Sequence, residues 1–149
     1  MEVKDVIKRL NIDPSAIKAL EGEVKKSGYD IPYELARELM VKFWAMKATT
    51  SEWVTKAKRL TMVYKHDLEK SLSLLKSQSD EKSEAAKERE AKSSEDYNTK
   101  SEAYNTAKVV EEFLVMKRVD LEQAHFMCKD LLKDYSNTRQ NEPSDAGSF

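Results

Sequence analysis

Proline and glycine are absent from residues 33–142, which make up 110 of the 149 residues of this chain. Proline removes a backbone donor and clashes with the preceding helical turn, and glycine costs about 1 kcal/mol in a helix interior. A segment that lacks both and is rich in Ala, Glu, Lys and Leu is typical of long helix. Since a globular helix usually spans about 8–20 residues, this segment predicts an all-α helical hairpin or coiled coil.

Short helices are predicted before this segment. Asp13-Pro14 is a start signal, because aspartate caps a helix N-terminus and proline suits its first position. The helix that follows is expected to end at Gly28, since glycine readily takes the left-handed conformation of a helix cap. The chain should therefore have three parts: N-terminal short helices (1–29), a long antiparallel helical hairpin (30–137) and a disordered, flexible C-terminal tail (138–149).

Two heptad seams can be read within the hairpin, and sustained 4-3 spacing of this kind is typical of a coiled coil. The first seam consists of Leu39, Phe43, Met46, Thr50, Trp53, Ala57, Leu60 and Tyr64, continued after a one-residue slip by Leu68, Leu72 and Leu75. The second seam consists of Ala103, Ala107, Val110, Leu114, Lys117, Leu121, Ala124, Cys128, Leu131 and Tyr135.

The polar segment 76–101 lies between the seams and has almost no apolar side chains. It predicts a solvated helical stalk with a chain reversal near 77–82, where serine and aspartate favour turns. In that arrangement the residue numbers of facing seam positions sum to about 160, or to a value displaced from it by one heptad. The facing pairs would be Trp53 with Ala107, Met46 with Leu114, Ala57 with Ala103 and Leu39 with Leu121.

Composition narrows the class of protein. The 26 basic residues nearly cancel the 27 acidic ones, so the overall basic balance typical of nucleic-acid-binding proteins is missing. The single cysteine excludes an intrachain disulfide and fits a reducing compartment. The N-terminus lacks the apolar run of a signal peptide, and no apolar run is long enough to span a membrane. A cytoplasmic protein is therefore expected.

Sequence signatures of enzyme chemistry are weak. The chain has no glycine-rich phosphate loop, no Cys/His metal spacing and no nucleophile elbow. Glu122 and His125 form a Glu-x-x-His step, but di-iron bundles need two such steps and two further glutamates. His125 is instead expected to flank the seam, and Cys128 to act as a small buried hydrophobe. We expect no enzyme activity, no cofactor and no metal.

One segment of the hairpin is strongly basic. Residues 41–66 contain six Lys or Arg against Glu52 alone, a local net charge of +5. Basic side chains with interleaved rings can hold single-stranded nucleic acid, because cations meet phosphates and rings stack on bases. The same cations could instead pair with acidic residues of a facing helix. The candidate nucleic-acid-binding residues are Lys42, Lys47, Lys56, Lys58, Arg59, Lys65 and Trp44, the aromatic that lies off the seam.

Two segments of the chain resemble the UvsY-type recombination mediators of tailed phages. They are the helix ELARELMVKFWAMKATTSEWVTKAKRLTMVY (Glu34–Tyr64) and the return helix TAKVVEEFLVMKRVDLEQAHFMCKDLLKD (Thr106–Asp134). The resemblance implies a ring-like homo-oligomer in the host cytoplasm that binds single-stranded DNA. It also implies help in loading a RecA-like recombinase in place of the single-strand-binding protein. The family's DNA-binding basic run matches Lys56-Ala57-Lys58-Arg59 here.

The main hypothesis is therefore an oligomeric, non-enzymatic, single-stranded-DNA-binding recombination mediator. The alternative is a structural or adaptor coiled coil that binds only protein, and a helical-bundle metalloenzyme comes third. Self-association is expected because several large apolar residues lie off the seams and need cover. These residues are Met40, Trp44, Met62, Val63, Leu74 and Phe126.

Overall fold

A computed structural model of the chain describes residues 1–28 and 30–141. The described residues form helices and no strands, and the two long helices pack against each other, so the all-α hairpin prediction is confirmed. The helices are α1 (Val3–Leu10), α2 (Pro14–Ser27), α3 (Tyr33–Gln78), α4 (Glu84–Ser93) and α5 (Glu95–Asn141).

The predicted start and end signals of α2 lie at the two ends of that helix. The Asp13 carboxylate accepts a hydrogen bond of 3.1 Å from the backbone N–H of Ser15, and Pro14 is the first residue of α2. α2 ends before Gly28, whose φ of 61° lies in the region that favours glycine. α5 continues to Asn141, four residues into the predicted tail, and residues 142–149 lie outside the described residues.

The chain divides into two compact units, and both long helices contribute a segment to each. Unit 1 comprises Met1–Ile12 and Ser51–Met116, and unit 2 comprises Asp13–Thr50 and the chain from Lys117 onward. Each unit has its own core of buried apolar side chains, most of them from the predicted seams.

In unit 1, most seam residues of α3 and α5 are buried, as is Val6 of α1, whereas Leu68, Leu72, Leu75 and Ala103 are only partly buried. The Arg9 guanidinium of α1 donates a hydrogen bond of 2.5 Å to the Tyr64 hydroxyl of α3. The Thr106 hydroxyl of α5 donates to the backbone carbonyl of Met1 at 3.1 Å. These contacts hold α1 against one flank of the hairpin in this unit.

In unit 2, Ile17 and Leu20 of α2 are buried, as are the seam residues Leu39, Phe43, Thr50, Leu121 and Cys128 of α3 and α5. Lys117 occupies a seam position, and its ammonium pairs with the Glu21 carboxylate of α2 at 2.6 Å. The hydrogen bond to Glu21 raises the pKa of Lys117 above its ordinary value. A charge on the seam is therefore accommodated because α2 supplies an opposite charge beside it.

The chain reverses between Gln78, the last residue of α3, and Glu84, the first residue of α4. Ser83 caps α4 by accepting a hydrogen bond of 3.2 Å from the N–H of Ala86. Ser94 has an extended backbone, separates α4 from α5, and caps α5 by accepting from the N–H of Tyr97 at 3.1 Å. After the reversal, the polar segment therefore consists of α4 and the start of α5 with a break at Ser94, and not of one continuous helix.

The register of the two long helices differs from the predicted facing pairs. In unit 1 the Ser71 hydroxyl meets the Asp96 carboxylate at 2.5 Å, and these residue numbers sum to 167. In unit 2 Lys47 meets Glu122 at 2.7 Å, a sum of 169. The observed sums therefore match the alternative register that the spacing left open, displaced from 160 by about one heptad, and the facing pairs named for a sum of 160 are not formed in that register.

The displacement arises at the hairpin end. The Lys76–Glu84 ion pair, at 2.9 Å, still has the predicted sum of 160. Between that pair and the Ser71–Asp96 contact, the return chain advances by 12 residues while α3 advances by only 5. The seven extra residues are accommodated in α4 and at the Ser94 break, which the heptad pattern did not reveal.

Candidate nucleic-acid interface

The candidate residues fall into both units. Lys42, Trp44 and Lys47 belong to unit 2, whereas Lys56, Lys58, Arg59 and Lys65 belong to unit 1. The two groups have different surroundings.

Lys42 of unit 2 is matched by two carboxylates. Its ammonium lies 2.8 Å from the Glu38 carboxylate and 3.3 Å from that of Glu23. The hydrogen bonds to Glu38 and Glu23 raise the pKa of Lys42 above its ordinary value. A phosphate that bound here would compete with both carboxylates.

Lys47 of unit 2 is engaged in a similar way. Its ammonium donates to the Glu122 carboxylate at 2.7 Å and lies 4.5 Å from the centre of the Trp44 ring. The hydrogen bond from Lys47 holds the pKa of Glu122 below its ordinary value. Lys47 thus joins a carboxylate of α5 to an aromatic ring of α3.

Trp44 belongs to a row of rings on the surface of unit 2. Its side chain is 49% exposed, and its ring centre lies 4.9 Å from that of His125. The centre of the Phe126 ring lies 5.4 Å from that of the His125 ring, so the three rings Trp44, His125 and Phe126 are linked by successive contacts. The His125 Nδ1 atom lies 2.8 Å from the Met40 carbonyl and donates to it, since a carbonyl can only accept. This bond fixes the ring beside Trp44.

The Glu-x-x-His step is therefore occupied by other contacts, Glu122 by Lys47 and His125 by the Met40 carbonyl. Within residues 1–28 and 30–141, no three His, Cys, Asp or Glu side chains are grouped as metal ligands would be. Cys128 is completely buried, and that burial raises the pKa of its thiol.

The basic residues of unit 1 are largely unmatched. Lys56, Lys58 and Arg59 are exposed and form no ion pair with any residue that the structure describes. Lys65 lies 3.9 Å from the Glu69 carboxylate, a long exposed pair that contributes little. The positive charge of this segment of α3 is therefore available to an external anion.

Helix geometry separates these residues on the surface of α3. Each residue of an α-helix turns about 100° from the previous one, so Lys56 and Lys58 are roughly 200° apart. Lys58 and Lys65, seven residues apart, return to nearly the same face, together with Met62. Lys58 and Lys65 thus share one flank of the hairpin, whereas Lys56 lies on the other.

A groove lies on the Lys58 flank of unit 1, between α3 and α5. Its volume is about 290 Å³. α5 supplies Tyr104 and Lys108, which are one helical turn apart. The groove is lined by Lys58, Thr61, Met62, Lys65, Tyr104, Lys108 and Glu111.

The charge of this groove, named here the Lys58–Lys108 groove, is positive. Three ammonium groups line it against the single carboxylate of Glu111. Lys108 pairs with Glu111 at 3.1 Å, and this hydrogen bond raises the pKa of Lys108. The Thr61 hydroxyl in its wall donates to the Ala57 carbonyl of its own helix at 3.0 Å.

Tyr104 and Lys108 are site residues that the sequence reasoning missed. Both flank the seam residue Ala107, and both are half-buried. A tyrosine and a lysine that lie one helical turn apart beside the seam can be recognised in the sequence. Only the correct register shows, however, that these two residues face Lys58 and Lys65.

A second cavity, in unit 2, has a different character. It measures about 280 Å³, and apolar side chains from α2, α3 and α5 dominate its wall. Val24, Phe43, Leu121, Ala124 and Met127 line it, with Glu21, Lys25 and Asp120.

No helix in the described part of the chain is both long and apolar enough to cross a membrane. Comparison with known proteins gave no match to a protein-family model, to a curated protein or to a solved structure.

Proposed function

We propose that this protein is an oligomeric single-stranded-DNA-binding recombination mediator that assists the loading of a RecA-like recombinase. The observation that carries the DNA-binding part is the unmatched positive charge on α3 in unit 1. Lys56, Lys58 and Arg59 are exposed without an ion pair to any described residue. Phosphate binding there would not first have to break a salt bridge.

Counterion release would drive this binding. Each phosphate that a lysine or arginine neutralises frees condensed cations, and contributes about 0.7 to the log–log salt slope on a single strand. The net charge of the chain is −1, so the protein as a whole does not attract DNA. Binding should therefore be local, strongly salt-dependent and strengthened when several copies act on one strand.

Fluorescence anisotropy with a labelled oligo(dT) at several salt concentrations tests DNA binding. We expect tight binding at low salt, and loss of binding in the double variant Lys58→Glu, Arg59→Glu, with the helical circular dichroism unchanged. Lys42→Gln serves as the matched control, because that lysine is already paired with two carboxylates. Unchanged affinity of the double variant for single strands would show that the site is misplaced.

The loading role has its own test. A single strand coated with a single-strand-binding protein is challenged with a RecA-like recombinase, and filament assembly is followed with and without this protein. The proposal predicts faster assembly with the wild-type chain and no acceleration with the Lys58→Glu, Arg59→Glu variant. If the wild-type chain binds DNA but leaves assembly unchanged, the mediator role fails while DNA binding stands.

A second candidate function is a structural or adaptor coiled coil that binds only protein. Exposed apolar side chains on α5 in unit 1 favour it, namely Val109, Phe113 and Met116. Their spacing of four and three residues places them on one face, as at a helix–helix interface. A gel shift with a labelled oligonucleotide separates the two functions, since a pure adaptor gives no shift even at low salt.

A further inference from the structure

We propose that the Lys58–Lys108 groove holds a nucleotide of the bound single strand, with the base on Tyr104 and the phosphates on the three lysines. This proposal rests on the proposed DNA-binding function and extends it to the return helix. It assigns roles to Tyr104 and Lys108 of α5, which lie more than forty residues along the chain from the basic run of α3.

The composition of the groove matches the parts of a nucleotide. Lys58 and Lys65 on α3 and Lys108 on α5 bring positive charge to the cavity from both of its sides. Tyr104 supplies an aromatic ring to the wall of the same groove, and Met62 supplies apolar surface for the edge of a base. Cations that flank an aromatic ring are the combination by which proteins bind single strands without a strong sequence preference.

The flank is open for such a ligand. α1 contacts α5 through Thr106, which is two residues from both Tyr104 and Lys108 and so lies on the opposite side of α5. Met62 is 70% exposed, so the apolar surface that it presents in the wall of the groove is accessible. A base that entered the groove would cover it.

Single strands should be preferred to duplex. The groove, with a volume of about 290 Å³, has room for a single unpaired base. A base can reach the Tyr104 ring only when it is unstacked from its neighbours, and a single strand permits this at lower energetic cost than a duplex.

Glu111 should restrain this binding. Its carboxylate is nearly buried and holds the Lys108 ammonium at 3.1 Å, so a phosphate must share that lysine with it. Removal of the carboxylate leaves Lys108 free to turn towards the phosphate. The variant Glu111→Gln should therefore bind single strands more tightly than the wild-type chain, an effect that a purely structural ion pair would not produce.

Ultraviolet crosslinking with an oligonucleotide that contains 5-iodouracil tests the position of the base. We expect the crosslinked peptide to contain Tyr104, and we expect that crosslink to disappear in Tyr104→Leu. A crosslink confined to the Trp44 peptide of unit 2, with none at Tyr104, would overturn the proposal.

Measurements of affinity for a single strand test the roles of the Lys108 charge and the Tyr104 ring in the groove. Lys108→Gln should lower the salt slope by about 0.7, the contribution of one contact to a single strand. Lys18→Gln is the matched control, because Lys18 is exposed, forms no ion pair with a described residue and lies on α2, outside the groove and the basic run of α3. Tyr104→Leu should weaken binding about 5- to 150-fold, the range for a stacked base, whereas Tyr104→Phe should bind like the wild-type chain.

The outcomes separate this inference from the proposed function. Absence of oligo(dT) binding by the wild-type chain at low salt overturns both. Wild-type binding that persists unchanged in folded Lys108→Gln and Tyr104→Leu overturns only the groove. Equal competition by a poly-glutamate peptide would also overturn it, since the groove would then recognise negative charge without a base.

Discussion

Thr50 occupies a seam position in α3 and is fully buried, although its side chain is polar. Its hydroxyl donates a hydrogen bond of 2.8 Å to the Met46 carbonyl of its own helix. That carbonyl also lies at the acceptor position for the backbone N–H of Thr50 in a regular helix. The hydrogen-bonding need of the Thr50 hydroxyl is therefore met within its own helix, and this bond does not hold a neighbouring helix in place.

Replacement of Thr50 by valine should leave the free energy of unfolding unchanged or slightly higher. The substitution exchanges a buried hydroxyl for a methyl group of similar size and orphans no partner. Urea denaturation measures the effect, with Leu39→Ala as a control that should lose about 2–5 kcal/mol because Leu39 is fully buried. A loss above about 1 kcal/mol in Thr50→Val would contradict the local role of the hydroxyl.

The Lys47–Glu122 pair predicts that the free energy of unfolding depends on pH in the acidic range. Lys47 lowers the pKa of Glu122 in the folded chain, so the folded state keeps that carboxylate charged at a pH where the unfolded state takes up a proton. The stabilisation is therefore present above the ordinary pKa of about 4.5 that this carboxyl has in the unfolded chain, and is lost as the pH falls through the lower pKa of the folded chain.

The test compares urea midpoints of the wild-type chain and Glu122→Gln at pH 6, 4 and 3. The variant should be less stable at pH 6, and the difference from the wild-type chain should shrink as the pH falls towards 3, because protonation of Glu122 removes the pair from the wild-type chain. Glu52→Gln, at an exposed site without an ion pair to a described residue, should follow the wild-type curve. Parallel curves for wild type and Glu122→Gln would rule out this contribution.

At the scale of the helices, sequence spacing predicts which faces are buried but not how the two faces align. Every seventh residue of a seam presents the same kind of side chain, so a displacement by one heptad preserves the apolar contacts. The observed register is marked instead by polar contacts between the helices, such as Lys47 of α3 to the Glu122 carboxylate of α5 at 2.7 Å. Lys58 and Lys65 could be found from charge alone, whereas Tyr104 and Lys108 depend on this register.

The helix break at Ser94 is a feature of the elements that the amino-acid composition did not predict. Serines are frequent throughout the polar segment, and only the structure distinguishes the one that caps α5 with its hydroxyl. We expect Ser94→Ala to lower the free energy of unfolding by about 1 kcal/mol, since the cap on the first turn of α5 is lost. Ser94→Asp should retain most of the stability, because a carboxylate also accepts from N–H groups at a helix start.

Ser93→Ala is the control for this experiment. The Ser93 hydroxyl donates only to the Glu90 carbonyl of its own helix, at 2.7 Å, so its loss should have little effect. Thermal and urea unfolding followed by circular dichroism give the comparison. A gain in both stability and helix content in Ser94→Ala would mean that α4 and α5 merge into one helix and that the cap is dispensable.

At the scale of the molecule, the exposed apolar side chains predict self-association. Val109, Phe113 and Met116 form one exposed apolar face in unit 1. Faces of this kind are uncommon on monomers unless they bind something. Sedimentation should show an oligomer at micromolar concentration, and Met116→Glu should shift it towards the monomer.

Gln123→Glu provides the matched control for sedimentation, because it adds the same charge at an exposed polar position of α5. It should sediment like the wild-type chain. A wild-type monomer at micromolar concentration would contradict the oligomer, and would also remove the gain in affinity that several linked patches would give on one strand.

The buried position of Cys128 has a practical consequence for measurement. The sequence contains no other cysteine, and this one is inaccessible and kept protonated by its surroundings. A cysteine introduced at an exposed site would therefore be the single thiol that reacts with a dye or spin label. Two such labels, one on each long helix beside the groove in unit 1, would report the width of the groove as an oligonucleotide is added.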